Sequence, residues 1–476
     1  MDYLEALRYL SERSGYDRGF VSNPFEREGI GLERTAWILR AAGNPERRYP
    51  SVHVAGTKGK GSTAACLASV LGAAGYRVGL YTSPHLHTFR ERIQISGQPI
   101  NPELFAELTA ELADANAALV GEHPDWGEAT AFELATALAL LAFARSRVDV
   151  AVVEVGLGGR LDATNVLLPE VAAITSISYD HMQILGSTLA EIAREKAGII
   201  KPGRPVVSAP QHPEAEAVIT RIAAERGVPL LLGGRDWAVE GSPVRFSFRG
   251  PGGELHGLRL ALRGAHQIEN AGVALAVGQL LGERGLPIPE PAIRRGLAEV
   301  QWPGRLEVVR ERPLVVVDGA HNVDSAERLA QALRDEFAWR RLILILGVAR
   351  DKDIPGIVRA LAPLAEEVIA VASHSPRAAA PERILAAVGE IAPDVPARAA
   401  GSVAAALDAL LIAERRLGPA QDVTTTECGE ILDHQAKRGI GPHIGLTDRG
   451  LRSLCTGTGR GQCRVGAGRA GQGVTQ

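Results

Sequence analysis

Hydrophobic positions recur along this chain with two different periods. Leu4, Leu7 and Leu10 lie at helical spacing and predict a helix over 3–13. A loop with Gly19, Pro24 and Gly29 follows, then a second helix from about 32 to 42. Residues 51–55 read as a short strand running into glycines, 62–74 as a helix and 77–81 as a strand. The stretch 129–145 is apolar on several faces, which predicts a buried helix. The runs 148–155 and 171–177 are almost continuously β-branched, as strands covered on both faces are. This alternation predicts an α/β fold with a doubly wound, mainly parallel sheet.

A further helix is predicted over 265–281. Gln301-Trp302-Pro303-Gly304-Arg305 then breaks the pattern and marks a domain boundary. A second, smaller α/β series follows: strand 314–317, helix 325–337, strand 342–346, helix 354–364, strand 367–371 and a helix near 403–416. The expected organisation is thus 1–300, 301–420 and a tail, 421–476. The tail lacks sustained periodicity, and beyond Gly439 it is rich in Gly, Arg, Thr and Ser with no aromatic residue. Such a composition buries too little apolar surface to offset ordering entropy, so disorder is expected there.

Composition narrows the class. The formal charge of -3 gives no footprint for nucleic acid. The four cysteines form no C-x-x-C pair, so no zinc or dithiol motif is indicated. The N-terminus carries charge throughout, and no apolar run nears the roughly 20 residues that span a bilayer. A cytoplasmic chain with no membrane or nucleic-acid partner is expected.

Candidate chemistry begins at Gly56-Thr57-Lys58-Gly59-Lys60-Gly61-Ser62, between a predicted strand and helix. Glycines let backbone N–H groups turn inward, a helix N-terminus adds positive potential, and lysine adds a full charge. The spacing departs from the usual Walker pattern, since Val54 stands where glycine is wanted and Gly61 follows the lysine. A ligand-free glycine turn is the alternative, but two lysines in one turn repel each other unless an anion lies between them. Glu154 sits inside an otherwise apolar run, where an unpaired carboxylate is costly. Ser83, His181 and Lys196 also fall at or beyond the carboxyl ends of predicted strands, the edge at which open α/β sheets bind ligands. Alone, His181 reads as a loop histidine and Lys196 as a surface lysine.

His53-Val54-Ala55 with the glycine loop, followed by Thr82-Ser83-Pro84-His85, resembles the folylpolyglutamate and dihydrofolate synthases of the Mur ligase superfamily. The resemblance covers roughly 1–415. Lys58 stands where many bacterial relatives carry Asn, and Val323 where the family usually has Pro. The resemblance implies ATP at Thr57, Lys58, Gly59, Lys60, Gly61, Ser62, Asn270, Arg305 and Asp318, with Lys60, Lys196 and His321 catalytic. It implies two Mg²⁺ sites drawing on Ser83, Glu154, His181 and Lys196, the lysine as an N6-carboxylysine (a carbamate). It also implies a pterin site from Gly29, Ile30, Gly31, Leu32, Thr130, Ala131, Phe132, Glu133, Leu161, Asp162 and Ala163. In it Phe132 stacks on a flat ring and Asp162 accepts ring N–H groups, while core packing is the alternative for Phe132. Ser373 to Arg377 is a candidate glutamate pocket.

The implied reaction joins L-glutamate to dihydropteroate, or to the side-chain carboxylate of tetrahydrofolates, through an acyl phosphate made from ATP by a monomeric enzyme. A Mur-type ligase of peptidoglycan precursors is one alternative. The other arises from a departure: relatives end the second domain with an apolar strand and a Gly-Ser turn, whereas Gln421-Asp422-Val423-Thr424-Thr425-Thr426-Glu427-Cys428 shows neither. A missing strand would leave an exposed sheet edge and a nucleotide-binding but inactive protein.

Overall fold

The structure, a computed structural model, describes residues 1–14, 32–373, 375–417 and 423–427. The expected positions Gly29, Ile30, Gly31 and His374, and the tail from 428 onward, lie outside them.

Eight strands make the first sheet: β1 (Ser51–Ala55), β2 (Val78–Tyr81), β3 (Ile93–Ile95), β4 (Gln98–Pro99), β5 (Val150–Glu154), β6 (Val171–Ile174), β7 (Val206–Ser208) and β8 (Leu230–Leu232). Their order is β4-β3-β2-β5-β1-β6-β7-β8. Six run parallel; β3 and β4 add an antiparallel edge. Successive residues of β5 enter different cores. Val150 and Val152 pack with the helices Lys60–Ala73 and His266–Glu283, whereas Ala151 and Val153 pack with Pro102–Glu122 and Ala131–Arg145. Burial on both faces explains why the strand reads as one apolar run. The helices Pro102–Glu122 and Pro381–Ile391 were not foreseen from periodicity.

A small antiparallel sheet, β9 (Ala238–Ser242), β10 (Arg245–Gly250) and β11 (Gly253–Leu258), was likewise not foreseen. It closes one flank of the first core by burying Phe246 and Phe248 beside Trp237.

The second sheet holds β12 (Glu307–Glu311), β13 (Leu314–Val317), β14 (Ile343–Gly347), β15 (Glu367–Ala370), β16 (Ala397–Ala399) and β17 (Val423–Glu427), in the order β12-β13-β17-β14-β15-β16. This corrects the expectation that no strand follows Ala420. β17 lies parallel between β13 and β14, with Val315 opposite Val423 and Leu346 opposite Thr426. Its Val-Thr-Thr-Thr run lacks the apolar signature of a buried strand, but β-branched side chains suit a pleated surface.

Among the described residues no helix is long and apolar enough to cross a membrane.

Candidate active site

β1 delivers the chain into the glycine loop. Gly56 has φ 151, and a Cβ there would lie 1.8 Å from Thr175 Oγ1, so only glycine fits. Gly59, at φ 85, caps the helix Lys60–Ala73, which therefore starts two residues earlier than periodicity suggests. The first N–H groups of a helix have no intrahelical partner and carry its positive potential. They belong here to Lys60, Gly61 and Ser62. The N–H groups of Thr57 and Lys58 instead donate to Ser176 O at 2.9 and 3.2 Å. Thr57 Oγ1 donates to Ser178 O at 3.1 Å. Thr57 itself lines the cavity over this helix start. Its donors brace the loop against the segment after β6.

A cavity of about 270 Å³ opens over this helix start. Ser83, Glu154, His181 and Lys196 all line it, with Lys60, Asn270, Arg305, Asp318 and His321. Parallel strands bring the first set together. Val54 of β1 stands opposite Glu154 of β5, and Ser83 N donates to Glu154 Oε2 at 3.0 Å. Burial raises the pKa of Glu154, opposed by the positive charge of Lys60 and by the Ser83 N–H. Lys196 is 4 % exposed, and its Nζ donates to Gly56 O at 2.8 Å. Burial and the nearby Lys60 push its pKa down to about 7. His181 adopts a left-handed φ of 50 at the start of the helix Met182–Leu185, turning the chain just past β6.

These donors fit a hard cation that retains water. Among the described residues no group of three His, Cys, Asp or Glu forms a closed cage. One carboxylate, one hydroxyl and one imidazole beside a phosphate loop suit Mg²⁺ shared with phosphate oxygens. A buried amine with a single carbonyl partner suits conversion to an anionic oxygen ligand.

The second domain supplies the opposite wall. Asp318 Oδ2 accepts from Leu306 N at 2.9 Å and Oδ1 from Ala320 N at 2.8 Å. It therefore ties the linker to the end of β13. Leu306 itself has φ 46. Burial raises the Asp318 pKa, opposed by Arg305. Arg305 Nη1 donates to Gly304 O at 2.9 Å and would meet any Cβ at Gly319, so the Gly319 position lets it lie flat against the loop. Trp302 covers Gly61 so closely that an added Cβ would lie 2.7 Å from its ring. Asn270 Nδ2 donates to Gln267 Oε1 at 2.9 Å, with its Oδ1 against Gly59.

Sequence reasoning passed over Asp180, the hub of the cleft. Lys58 Nζ donates to its Oδ2 at 3.0 Å and Lys352 Nζ to its Oδ1 at 3.2 Å. Asn322 Nδ2 adds a contact at 3.2 Å. Burial alone would raise this carboxyl's pKa, but His321 and the two ammonium groups outweigh it and hold it well below the usual range. His321 lies 3.3 Å from Lys58 Nζ through Nε2, and its Nδ1 lies 2.9 Å from Gly319 O. A carbonyl only accepts, so Nδ1 carries the proton and Nε2 accepts from the lysine. Removal from water and the Lys58 charge push His321 down to about 4. Lys352 could have been suspected from Arg350-Asp351-Lys352-Asp353, a charged run just past β14 at the ligand-binding sheet edge.

On the acceptor side, Phe132 packs over Gly156, where a Cβ would lie 2.3 Å from its ring, and beside Tyr81, 6.3 Å between centroids. Glu133 makes structural contacts. It completes the capping box of Thr130, accepting from Thr130 N at 2.7 Å. It also accepts from Arg34 Nε at 3.0 and 3.1 Å in a pair whose side chains are 6 % and 8 % exposed. Asp162 is nearly saturated as well. Oδ2 accepts from Leu157 N at 2.8 Å, and Oδ1 accepts from Thr164 N at 3.0 Å and from Thr164 Oγ1. A carboxylate offers about four lone-pair sites, so little capacity remains for ring N–H groups. None of Leu32, Thr130, Ala131, Phe132, Glu133, Leu161, Asp162 and Ala163 lines the 270 Å³ cavity. In the candidate glutamate pocket, Arg377 pairs with Asp351 at 3.0 Å.

Known proteins share the sequence and the fold. Residues 54–278 match the Mur ligase middle domain, and 304–420 match the Mur ligase glutamate ligase domain. The dihydrofolate synthase/folylpolyglutamate synthase of Bacillus subtilis is 40% identical over 356 residues, 73% of this chain and 82% of that protein. The structure of Mycobacterium tuberculosis folylpolyglutamate synthase complexed with ADP and AMPPCP superposes with a TM-score of 0.82 at 34% identity, covering 93% of this chain and 100% of that one. Escherichia coli FolC in complex with DHPP and ADP gives 0.77 at 33%, covering 92% and 96%. The chain therefore belongs to the folylpolyglutamate synthase/dihydrofolate synthase family of Mur-type, ATP-dependent ligases.

Proposed function

We propose that the enzyme joins L-glutamate to dihydropteroate and to the γ-carboxylate of tetrahydrofolates, through an acyl phosphate formed from ATP. The observation that carries this reading is the shared cavity: the helix start at Lys60, the Glu154 and His181 group, and Arg305 and His321 of the second domain all line it. Lys60 and Arg305 neutralise charge on the moving phosphoryl group from opposite walls, where positioning and electrostatics do most of the work. Ser83, Glu154, His181 and a carboxylated Lys196 would hold Mg²⁺, which when bound supplies charge neutralisation at the phosphate oxygens.

The acceptor's flat ring would lie beside Phe132, its carboxylate pointing past Gly156 towards the phosphate loop. That carboxylate attacks the terminal phosphorus of ATP, and ADP leaves. The amine of glutamate then attacks the acyl carbon, giving up a proton as phosphate departs. Lys352 and the segment around Ser373 and Arg377 support an incoming amino acid at the second domain. Both walls come from one chain, so a monomer suffices.

Glutamate-dependent phosphate release from ATP, measured with dihydropteroate and tetrahydrofolate separately, tests the reading. Release with both is expected. Release with neither, in the presence of Mg²⁺ and bicarbonate, would overturn it.

A further inference from the structure

A histidine occupies the middle of a fully buried strand. His53 of β1 is 0 % exposed, between Val52 and Val54, which point into an apolar core. Burying a polar ring costs free energy unless hydrogen bonds replace water. Its Nε2 lies 2.8 Å from Thr164 Oγ1. The Thr164 hydroxyl also bonds Asp162 Oδ1, and an ionised carboxylate can only accept. The direction of the chain follows. Thr164 donates to Asp162, so its oxygen accepts from His53, and the proton sits on Nε2. Among the described residues Nδ1 has no hydrogen-bond partner. A second proton there would be stranded, which agrees with burial and Lys201 pushing the ring's pKa down to about 3.

Asp162 passes the constraint on. Its other oxygen holds Leu157 N at 2.8 Å, next to the Gly156 that Phe132 covers, and Gly156, Leu157 and Gly158 all line the cavity. The phosphate loop has braces of its own, since Thr57 and Lys58 are held by Ser176 and Ser178.

We propose that His53 is a positioning residue for the acceptor: through Thr164 and Asp162 it fixes the 156–163 loop relative to β1, and so aligns the acceptor carboxylate with the phosphate loop. The inference rests on the acceptor reading of that loop given above. It adds a role for a residue that touches no substrate.

The test compares His53→Leu, which keeps bulk but donates nothing, with His53→Gln, whose amide nitrogen reaches about as far as Nε2. ADP affinity by calorimetry, and kcat and KM for dihydropteroate and tetrahydrofolate, are measured for each. For H53L, kcat/KM for the acceptor should fall by up to about 100-fold, the cost of misplacing a reactant by an ångström, with ADP affinity within about twofold. H53Q should recover most of the loss. Should H53L not fold, Thr164→Val breaks the same relay one link on, and Thr164→Ser restores it. Equal loss of ADP affinity and acceptor turnover, no rescue by H53Q or T164S, or unchanged kinetics would each overturn the proposal. A wild-type enzyme inactive on both acceptors would instead refute the functional reading.

Discussion

Glu133 offers a direct test, because a substrate contact and a structural ion pair respond differently to the same substitution. The guanidinium of Arg34 meets Glu133 with both side chains less than a tenth exposed, and Arg34 Nη1 also donates to Trp126 O at 3.1 Å. Removing one member of such a buried pair strands the other, at a cost of about 3–5 kcal/mol. Glu133→Gln keeps a carbonyl for Thr130 N but leaves the guanidinium without a counter-charge. Arg34→Met leaves the carboxylate alone. Each single variant should lose about 3–5 kcal/mol, while Arg34→Met with Glu133→Met should lose far less than the sum, because a replaced pair is often neutral. At about 2–4 °C per kcal/mol for domains of 150–250 residues, each single change lowers the melting temperature by about 6–20 °C. Urea denaturation of wild type, Arg34→Met, Glu133→Met and the double variant, followed by circular dichroism and read at the first transition, supplies the cycle, with Glu133→Gln beside it as the conservative single change. A Glu133→Gln enzyme that melts within a degree of wild type, with a raised KM for the acceptor, would refute the ion-pair account and restore Glu133 to the substrate site.

Three further outcomes follow from the cleft. Lys196→Ala should abolish turnover, and short carboxylic acids should restore part of it by supplying the missing anion; intact-mass analysis of wild type under bicarbonate should show one added CO₂, and its absence with full activity would contradict the carbamate. Gly56→Ala forces a Cβ to within 1.8 Å of Thr175 Oγ1, so it should weaken ADP binding through strain of about 1–3 kcal/mol in the loop, read by calorimetry; unchanged affinity would mean the loop is not the phosphate site. Lys352→Met removes one of the two lysines on Asp180 and should reduce kcat about tenfold, equal to about 1.4 kcal/mol, with a weaker salt dependence than wild type; an effect under twofold would deny the cross-cleft pair a role.

Much of this architecture is legible in the chain. The runs of Val and Ile in β5 and β6 announce buried parallel strands, and the glycines before Lys60 announce an anion loop, because both depend on local residue type. Other features depend on partners far away in sequence. Lys352 lies 172 residues from Asp180, and no periodicity links them. Glu133 was legible in part: Thr130-x-x-Glu133 is the pattern of a capping box, which already employs the glutamate locally. His53 is hidden because one polar residue barely disturbs the apolar average of a strand. β17 escaped because threonine strands lack apolar weight, and only the sheet's vacancy between β13 and β14 gives the segment its place.

That last strand has a consequence for how the protein is made. β13 leaves the ribosome more than a hundred residues before β17, and the two can pair only after Glu427 has been synthesised. Until then β13 and β14 have no central neighbour, and the apolar Ile343–Gly347 strand presents a bare edge to other nascent chains. Translation of the second domain is thus a vulnerable interval, and β17 acts as the stitch that closes it.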